Sequence, residues 1–353
     1  MQKRKVFAMG LNENFKHAKA DKRDEFYTRL EDVEAELAYY ADAFVGKTVY
    51  CDCDDPFTSA FVTYFLDHFE ELRLKCLLVS AYHTDALPGR MARVTRCPKE
   101  LRDCWYLLIG NTYEFLDGDG DFRSKEAEAL LAEADVVVTN PPFSLFRPYM
   151  ARLLASEKQF LVVGNQNAVT FREVFDGIRS NRLWLGMTYP NIFRVPGEIS
   201  DRKNVVCQAD GTYVARFGNI CWFTNLDVPV RHETLPLHHL YTSEEYPMYL
   251  NLENCIHVRR LSETPKDWDG RMGVPITFLK YYNPDQFEIL GLTRDMDLPG
   301  KTGMPEGFVR DYFAQGNHSG IRPGHPDVCY YDAKGCCQVP YRRIVIQKRP
   351  EFS

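Results

Sequence analysis

The chain has 353 residues, 45% of them hydrophobic and 26% charged, with a formal net charge of −6. That length accommodates a catalytic core plus a smaller appended region, and the composition is that of a soluble globular protein, with no run approaching the roughly eighteen apolar residues of a membrane span. The negative balance argues against a protein that coats nucleic acid non-specifically, because such binding is dominated by Lys and Arg neutralising phosphates.

The eleven cysteines are scattered and form no Cys-x-x-Cys pair; the closest groupings, Cys51 with Cys53 and Cys336 with Cys337, have the wrong spacing for two ligands on one tetrahedral ion. They read as free thiols in a reducing cytoplasm, with no metal site. The first residues are basic but lack the apolar run and cleavage site of a secretory signal, so nothing implies export. Residues 1 to 29 nevertheless hold eight Lys/Arg against four Asp/Glu, and the tail from Tyr341-Arg342-Arg343 to Lys348-Arg349 is also basic, giving two local patches of the sign that nucleic acid attracts.

In chain order, Leu30, Val33, Leu37 and Tyr40 fall at helical spacing, and Gly46 ends that helix. Thr48-Val49-Tyr50-Cys51 is a short strand, Ala60 to Phe69 a helix, and Cys76-Leu77-Leu78-Val79 a second buried strand, which makes a βαβ unit. Trp105 to Ile109 reads as a strand, and Ser124 as the N-cap of an Ala- and Glu-rich helix running to Ala134. Asp135 to Thr139 is apolar on both faces, as a central parallel strand is, and breaks at Asn140-Pro141-Pro142. Leu145 to Ala155 is helical and Phe160 to Val163 a further strand. Tyr213 to Phe217 and Ile220 to Phe223, separated by Gly218-Asn219, read as an antiparallel hairpin that closes the sheet. The alternation predicts an α/β fold with a doubly wound, mostly parallel sheet, whose ligands sit at the carboxyl ends of its strands. From about Pro229 the pattern fades into loop-rich sequence, so the expected domains are residues 1–228, a catalytic domain with a basic N-terminal arm, and 229–353.

The segment with the most chemistry is Asn140-Pro141-Pro142-Phe143. An exocyclic adenine amine is a poor nucleophile, because its lone pair is delocalised into the ring. Two acceptors aimed at its hydrogens, the Asn140 amide oxygen and the Pro141 carbonyl, localise that pair and stabilise the positive charge that develops during alkylation. Proline has no N–H, so Pro141 and Pro142 add no competing donor and hold the loop extended. Phe143 offers a π-face to an extruded base, worth about 1–3 kcal/mol. The same tripeptide serves as an ordinary turn after a buried strand in other chains; here the alternating α/β context favours catalysis.

Four segments in order, Asp24-Glu25-Phe26-Tyr27-Thr28, Val49 to Pro56, Gly118 to Ser124 and Val138 to Phe146, resemble the EcoRI-type adenine-specific DNA methyltransferases over residues 21 to 225. The resemblance implies the S-adenosylmethionine-dependent methyltransferase fold and N6 methylation of an adenine flipped out of double-stranded DNA. It implies that Asn140, Pro141, Pro142 and Phe143 are catalytic. It also implies that Phe26, Tyr27 and Thr28 cover the methionine end of the cofactor. Asp52, Cys53, Asp54 and Asp55 would lie beside its cationic groups, and Asp121-Phe122 would contact its adenine. Two departures stand out: Asp52 to Ser59 contains no glycine, which leaves the register of that turn open between Asp52 and Asp55, and no acidic residue directly follows Leu77-Leu78-Val79, where Asp85 and Tyr82 are the substitutes.

Base readout is expected from residues 230 to 353, with Arg310, Asn317, His318, Arg322, Arg342 and Arg343 as candidates, although surface ion pairing is the commoner role for any one of them and the sequence singles out no individual. Further implications of the resemblance are a cytoplasmic location in a bacterial or phage-infected cell, no membrane partner, and a cognate restriction endonuclease acting separately. Alternatives are methylation of RNA adenine, cytosine N4 or protein glutamine, and a DNA-binding pseudoenzyme. A nicotinamide dehydrogenase is disfavoured, since no Gly-x-Gly-x-x-Gly follows a strand.

Overall fold

The structure is a computed structural model and describes residues 26–83, 87–97, 109, 112–195, 204–318 and 320–352. Two compact units form, one from residues up to Gly177 with Arg182–Asp227, the other from Ile178–Asn181 with Val228–Ser353. Among the described residues no helix is long and apolar enough to cross a membrane, and no group of three or more side chains is arranged to hold a metal.

The first unit opens with the short strand β1 (Tyr27–Thr28) and helix α1 (Leu30–Leu37), whose Val33 and Leu37 are fully buried. The chain continues through two short helical turns and leaves at Gly46, whose φ of 71° suits a residue without a side chain. Strand β2 (Thr48–Cys51) is buried throughout. Helix α2 (Ala60–Asp67) begins at Ser59, whose hydroxyl accepts from the N–H groups of Phe61 and Val62 and so satisfies two of the orphan donors at the helix start. Strand β3 (Cys76–Ala81) runs parallel to β2. Strands β4 (Arg90–Val94) and β5 (Tyr113–Phe115) add antiparallel edges. Ser124 caps α3 (Lys125–Glu133) by accepting from Ala127 N–H at 3.1 Å. Next come the fully buried β6 (Val136–Thr139), α4 (Phe146–Ser156), β7 (Gln159–Asn165), α5 (Arg172–Arg179) and the short β8 (Trp184–Leu185).

The main sheet has the order β5-β4-β3-β2-β6-β7-β12-β8, where β12 is Ile220–Thr224. Its central four strands are parallel and the flanking strands antiparallel, so three of the seven pairings are parallel and the sheet is mixed rather than mostly parallel. The predicted βαβ unit, the N-cap at Ser124 and the central strand before Asn140 are all present. The strand predicted at Trp105 to Ile109 lies outside the described residues except for Ile109, which is helical.

The predicted closing hairpin does not form. β11 (Tyr213–Arg216) sits between β9 (Ile192–Val195) and β10 (Val205–Cys207) in a separate antiparallel sheet that also takes in β1, while β12 pairs with β7 and β8. Burial explains the parting. All five β12 residues are buried, which suits a place inside a large sheet, whereas β11 is half-exposed and suits a small one.

In the second unit, β13 (Cys255–His257), β14 (Arg271–Val274), β15 (Phe287–Leu292) and β18 (Ile344–Lys348) form a sheet in the order β13-β14-β18-β15. Helix α6 (Glu306–Ala314) and the pair β16 (Tyr330–Tyr331) and β17 (Cys337–Gln338) pack through Met304, Phe308, Val309 and Cys329.

Candidate active site

Parallel strands end together, so the turns after β2, β3 and β6 converge at one edge of the main sheet. The device that locks them is Asp54. Its carboxylate accepts from Ser59 Oγ at 2.7 Å, from Thr139 Oγ1 at 2.5 Å and from the backbone N–H of Asn140. Its own N–H donates to the Ser80 carbonyl at 3.1 Å. One residue, through its side chain and its N–H, thereby ties the ends of β2, β3 and β6 to the start of α2. Burial pushes the Asp54 carboxyl up to about 7, against the lowering effect of those donors.

Beyond Thr139 the chain breaks at Asn140. Pro142 is extended, and the turn Phe143–Leu145 is closed by Leu145 N–H donating to the Pro142 carbonyl at 2.9 Å. The Asn140 amide nitrogen donates to the backbone carbonyl of Phe26. A carbonyl only accepts, so the amide must present its NH2 there. The other end, Asn140 Oδ1, is left buried with no hydrogen-bond partner among the described residues. Thr28 Oγ1 is the second buried oxygen of this segment without a partner. Both orphans are the kind of buried polar atom that native proteins rarely leave unsatisfied unless something else completes them.

Four phenylalanines surround this corner. Phe26 and Phe143 stack with ring centroids 5.7 Å apart, Phe217 meets Phe26 edge-on at 4.8 Å, and Phe193 meets Phe143 at 6.4 Å. Phe143 remains half-exposed while Phe26 is buried. Phe193 and Phe217 escape sequence reading, because they belong to a sheet whose strands lie far from the loop in the chain.

The remaining sequence candidates are placed as follows. Tyr27 is 41% exposed and Thr28 buried, so β1 turns its threonine toward the interior. Asp52 is 1% exposed and held by the Tyr149 hydroxyl at 2.5 Å and the Arg152 guanidinium at 3.0 Å. Burial raises its carboxyl, while Arg152 and Tyr149 work against that. Desolvation likewise raises the Cys53 thiol well above its ordinary value, so it is no ready nucleophile. Asp55 folds its own turn, accepting from Phe57 and Thr58 N–H, and forms a two-point ion pair with the buried Arg90. Asp121 pairs with Arg123, whose hydrogen bonds hold its carboxyl below the usual range.

Phe122 is buried against Tyr149, with Arg152 over its ring at 5.8 Å. Asp52 and Phe122 therefore meet through two α4 residues, Tyr149 and Arg152. The pair's spacing of three along one helix face is the signal that could have found them. The loop that carries Asp121 reaches β3 through Gly120, whose φ is +79° and where an added Cβ would come within 2.3 Å of the Ala81 carbonyl. His83 N–H donates to the Asp119 carbonyl at 2.7 Å. The end of β3 thus receives exposed Asp119 from a distant segment beside Tyr82, whose phenol is raised by burial and by Asp119 and Asp121. Asp85, the other substitute, lies outside the described residues.

A corner with oriented acceptors, a half-exposed ring and a second orphan oxygen can grip an amine and hold it against a neighbouring group. The family model described as adenine-specific methyltransferase EcoRI matches residues 14–349. The chain is similar to type II methyltransferase M.EcoRI of Escherichia coli, with 39% identity over 300 residues, 79% of this chain and 89% of that protein. It is also similar to M.MpnI of Mycoplasma pneumoniae, with 37% identity over 342 residues, 95% and 98% of the two chains. M.MgeORF184P of Mycoplasma genitalium is 34% identical over 286 residues, 78% of this chain and 85% of that protein. No solved structure matches.

Proposed function

From the premise that this chain belongs to the EcoRI family of adenine-specific methyltransferases, we propose that it methylates the N6 of adenine in double-stranded DNA at a specific site, taking the methyl from S-adenosylmethionine. The coarser statement, a type II DNA methyltransferase, follows from the family itself. The observation that carries the finer one is the Asn140 amide, turned by the Phe26 carbonyl so that its oxygen is buried and unpartnered.

S-adenosylmethionine, when bound, supplies an electrophilic methyl carbon on a sulfonium. The residues present fit such a group: the buried Thr28 hydroxyl lacks a partner, and Phe26, Thr28 and Asn140 share one corner with the strand ends. Asn140 Oδ1 accepts one N6 hydrogen and the Pro141 carbonyl the other, which draws the lone pair out of conjugation and toward the methyl carbon. In a transfer that forms the N–C bond as the C–S bond of the sulfonium breaks to leave a neutral thioether, the two acceptors would stabilise the cationic nitrogen until its extra proton passes to solvent. Phe143 packs against the extruded base and offsets part of its unstacking cost. Asp54 keeps the loop in register through Thr139 and the Asn140 N–H. Phe122 and Thr28 are the cofactor contacts best supported, because Asp52 and Asp55 are already committed to Arg152 and Arg90. Residues 229–353 are the proposed source of base readout, and a separate endonuclease is the proposed physiological counterpart.

The test is to incubate the purified chain with labelled cofactor and duplex DNA, single-stranded RNA or protein extract, and to hydrolyse the product. N6-methyladenine from duplex DNA is expected. Label on cytosine N4, on RNA or on protein alone overturns the assignment.

A further inference from the structure

The six polar residues that the sequence singles out in the second unit are not equivalent in the fold. Arg310 is 82% exposed beside Asp311, and the Asn317 amide donates to the Tyr312 carbonyl at the end of α6. His318 and Arg322 lie on exposed loops and Arg342 is half-buried. Arg343 is different in kind. It directly precedes β18, and its backbone is pinned on both sides by one residue: Arg343 N–H donates to Thr293 Oγ1 at 3.1 Å, and Thr293 N–H donates to the Arg343 carbonyl at 2.9 Å.

The Arg343 side chain is half-buried, its Nε is sealed from solvent, and among the described residues its guanidinium has no acceptor and no carboxylate paired with it. Its charge acts on Tyr249, His257 and Tyr330, none of which is anionic at neutral pH. The Tyr249 hydroxyl and His257 Nδ1 are hydrogen-bonded to each other at 2.9 Å, and the His257 ring stacks on Tyr330 at 4.7 Å. Burial lowers His257 to about 3, so the imidazole is neutral. The same burial lowers Arg343. Of the carboxylates that act on this cluster, Glu263 is taken by Arg259 at 2.7 Å, and Asp332 accepts from the Lys334 and Cys336 N–H groups and from the Gln338 amide.

A half-buried cation without a counter-ion is less well solvated in the free protein than an exposed one, and the backbone that carries Arg343 is pinned. A guanidinium held this way has donors to offer a bound partner. We propose that Arg343 is a sequence-reading side chain, its planar fork donating to the O6 and N7 acceptors of a guanine in the recognised DNA. This rests on the functional reading given above. Guanine is favoured over a phosphate because two parallel N–H vectors on a fixed platform match its two acceptors, whereas phosphate contacts come more often from exposed, mobile cations.

The experiment compares the full-length wild type with Arg343→Met and Arg343→Lys on a plasmid library of random sequence, mapping modified adenines by single-molecule sequencing and recording each protein's melting temperature. In both variants, one guanine of the wild-type motif is expected to become degenerate, with the rate at the original motif down about 10- to 100-fold. Arg343→Met should melt at or above the wild-type temperature, since it removes a half-buried charge with no counter-ion among the described residues; a merely structural arginine would lower it. An unchanged motif, whether with a uniform rate loss or with none, overturns the proposal. If the wild type modifies no DNA, the functional reading fails first, and if it modifies DNA at a motif without guanine, only the role of Arg343 falls.

Discussion

The backbone carbonyl of Phe26 and the side-chain amide of Asn140 are hydrogen-bonded across 114 residues of sequence. The contact decides which end of the amide faces the protein and which end is left to accept. Asn140→Ala should therefore lower the chemical step by at least about 10²-fold, the usual cost of one preorganised group, while cofactor affinity stays within a few-fold. Calorimetric titration of the cofactor beside single-turnover rates separates the two, and lost binding would mean that Asn140 is a cofactor ligand.

Asn140→Asp sharpens the same point. An ionised carboxylate opposes the Phe26 carbonyl, whereas the protonated acid can donate to it and still offer an acceptor. Residual activity should be greatest at low pH and fade as pH rises through the carboxyl pKa. A rate that instead increases with pH in that range contradicts the orientation.

Asp54 is held in a buried site that raises its carboxyl to about 7. The unfolded chain ionises this group near 4. Between those values the folded state binds the extra proton, so its contribution to stability is complete below about 4 and declines as pH rises toward 7. Asp54→Asn should flatten that part of the melting-temperature profile. Thr139→Val, which removes one donor to the carboxylate, should reduce kcat more than KM, because it loosens the backbone at Asn140. Equal effects on both constants argue against positioning.

Arg152→Met leaves Asp52 buried with the Tyr149 hydroxyl as its remaining side-chain donor. Stripping one partner from a buried pair costs about 3–5 kcal/mol. Denaturant unfolding should show a loss of that order, with part of it restored in the Asp52→Asn/Arg152→Met double variant. A purely additive double variant removes the coupling.

Gly120→Ala has no room beside the Ala81 carbonyl and an unfavourable φ. The displaced loop carries Asp121 and Phe122, so cofactor affinity should fall by about tenfold or more, the equivalent of at least 1.4 kcal/mol. The methyl-acceptor KM should change less; wild-type cofactor affinity would show that this loop does not contribute to cofactor binding.

The parallel core was legible because its strands are short apolar runs with turn residues after each: Thr48–Cys51, Cys76–Ala81 and Val136–Thr139 are buried along their whole length. The N-cap at Ser124 was legible for the same local reason. Strand β4 was not, since Arg90-Met91-Ala92-Arg93-Val94 shows no clean alternation until Arg90 is seen paired with Asp55. Nor was the separation of β11 from β12, because two neighbouring strands with a Gly-Asn turn between them carry no local sign that each will choose a different sheet.

By itself, the sequence determined the helices and strands of the core and the chemistry available at Asn140 to Phe143, since both depend on residues only a few positions apart. Tertiary structure alone decided that Asn140 Oδ1 is the amide atom left over, that Asp54 holds the loop while Asp52 and Asp55 answer arginines, and that Arg343 has no counter-ion among the described residues. Hydrogen-bond and ion-pair partners are chosen by proximity in space. At this site those partners come from segments tens to more than a hundred residues apart, a distance over which residue spacing carries no information.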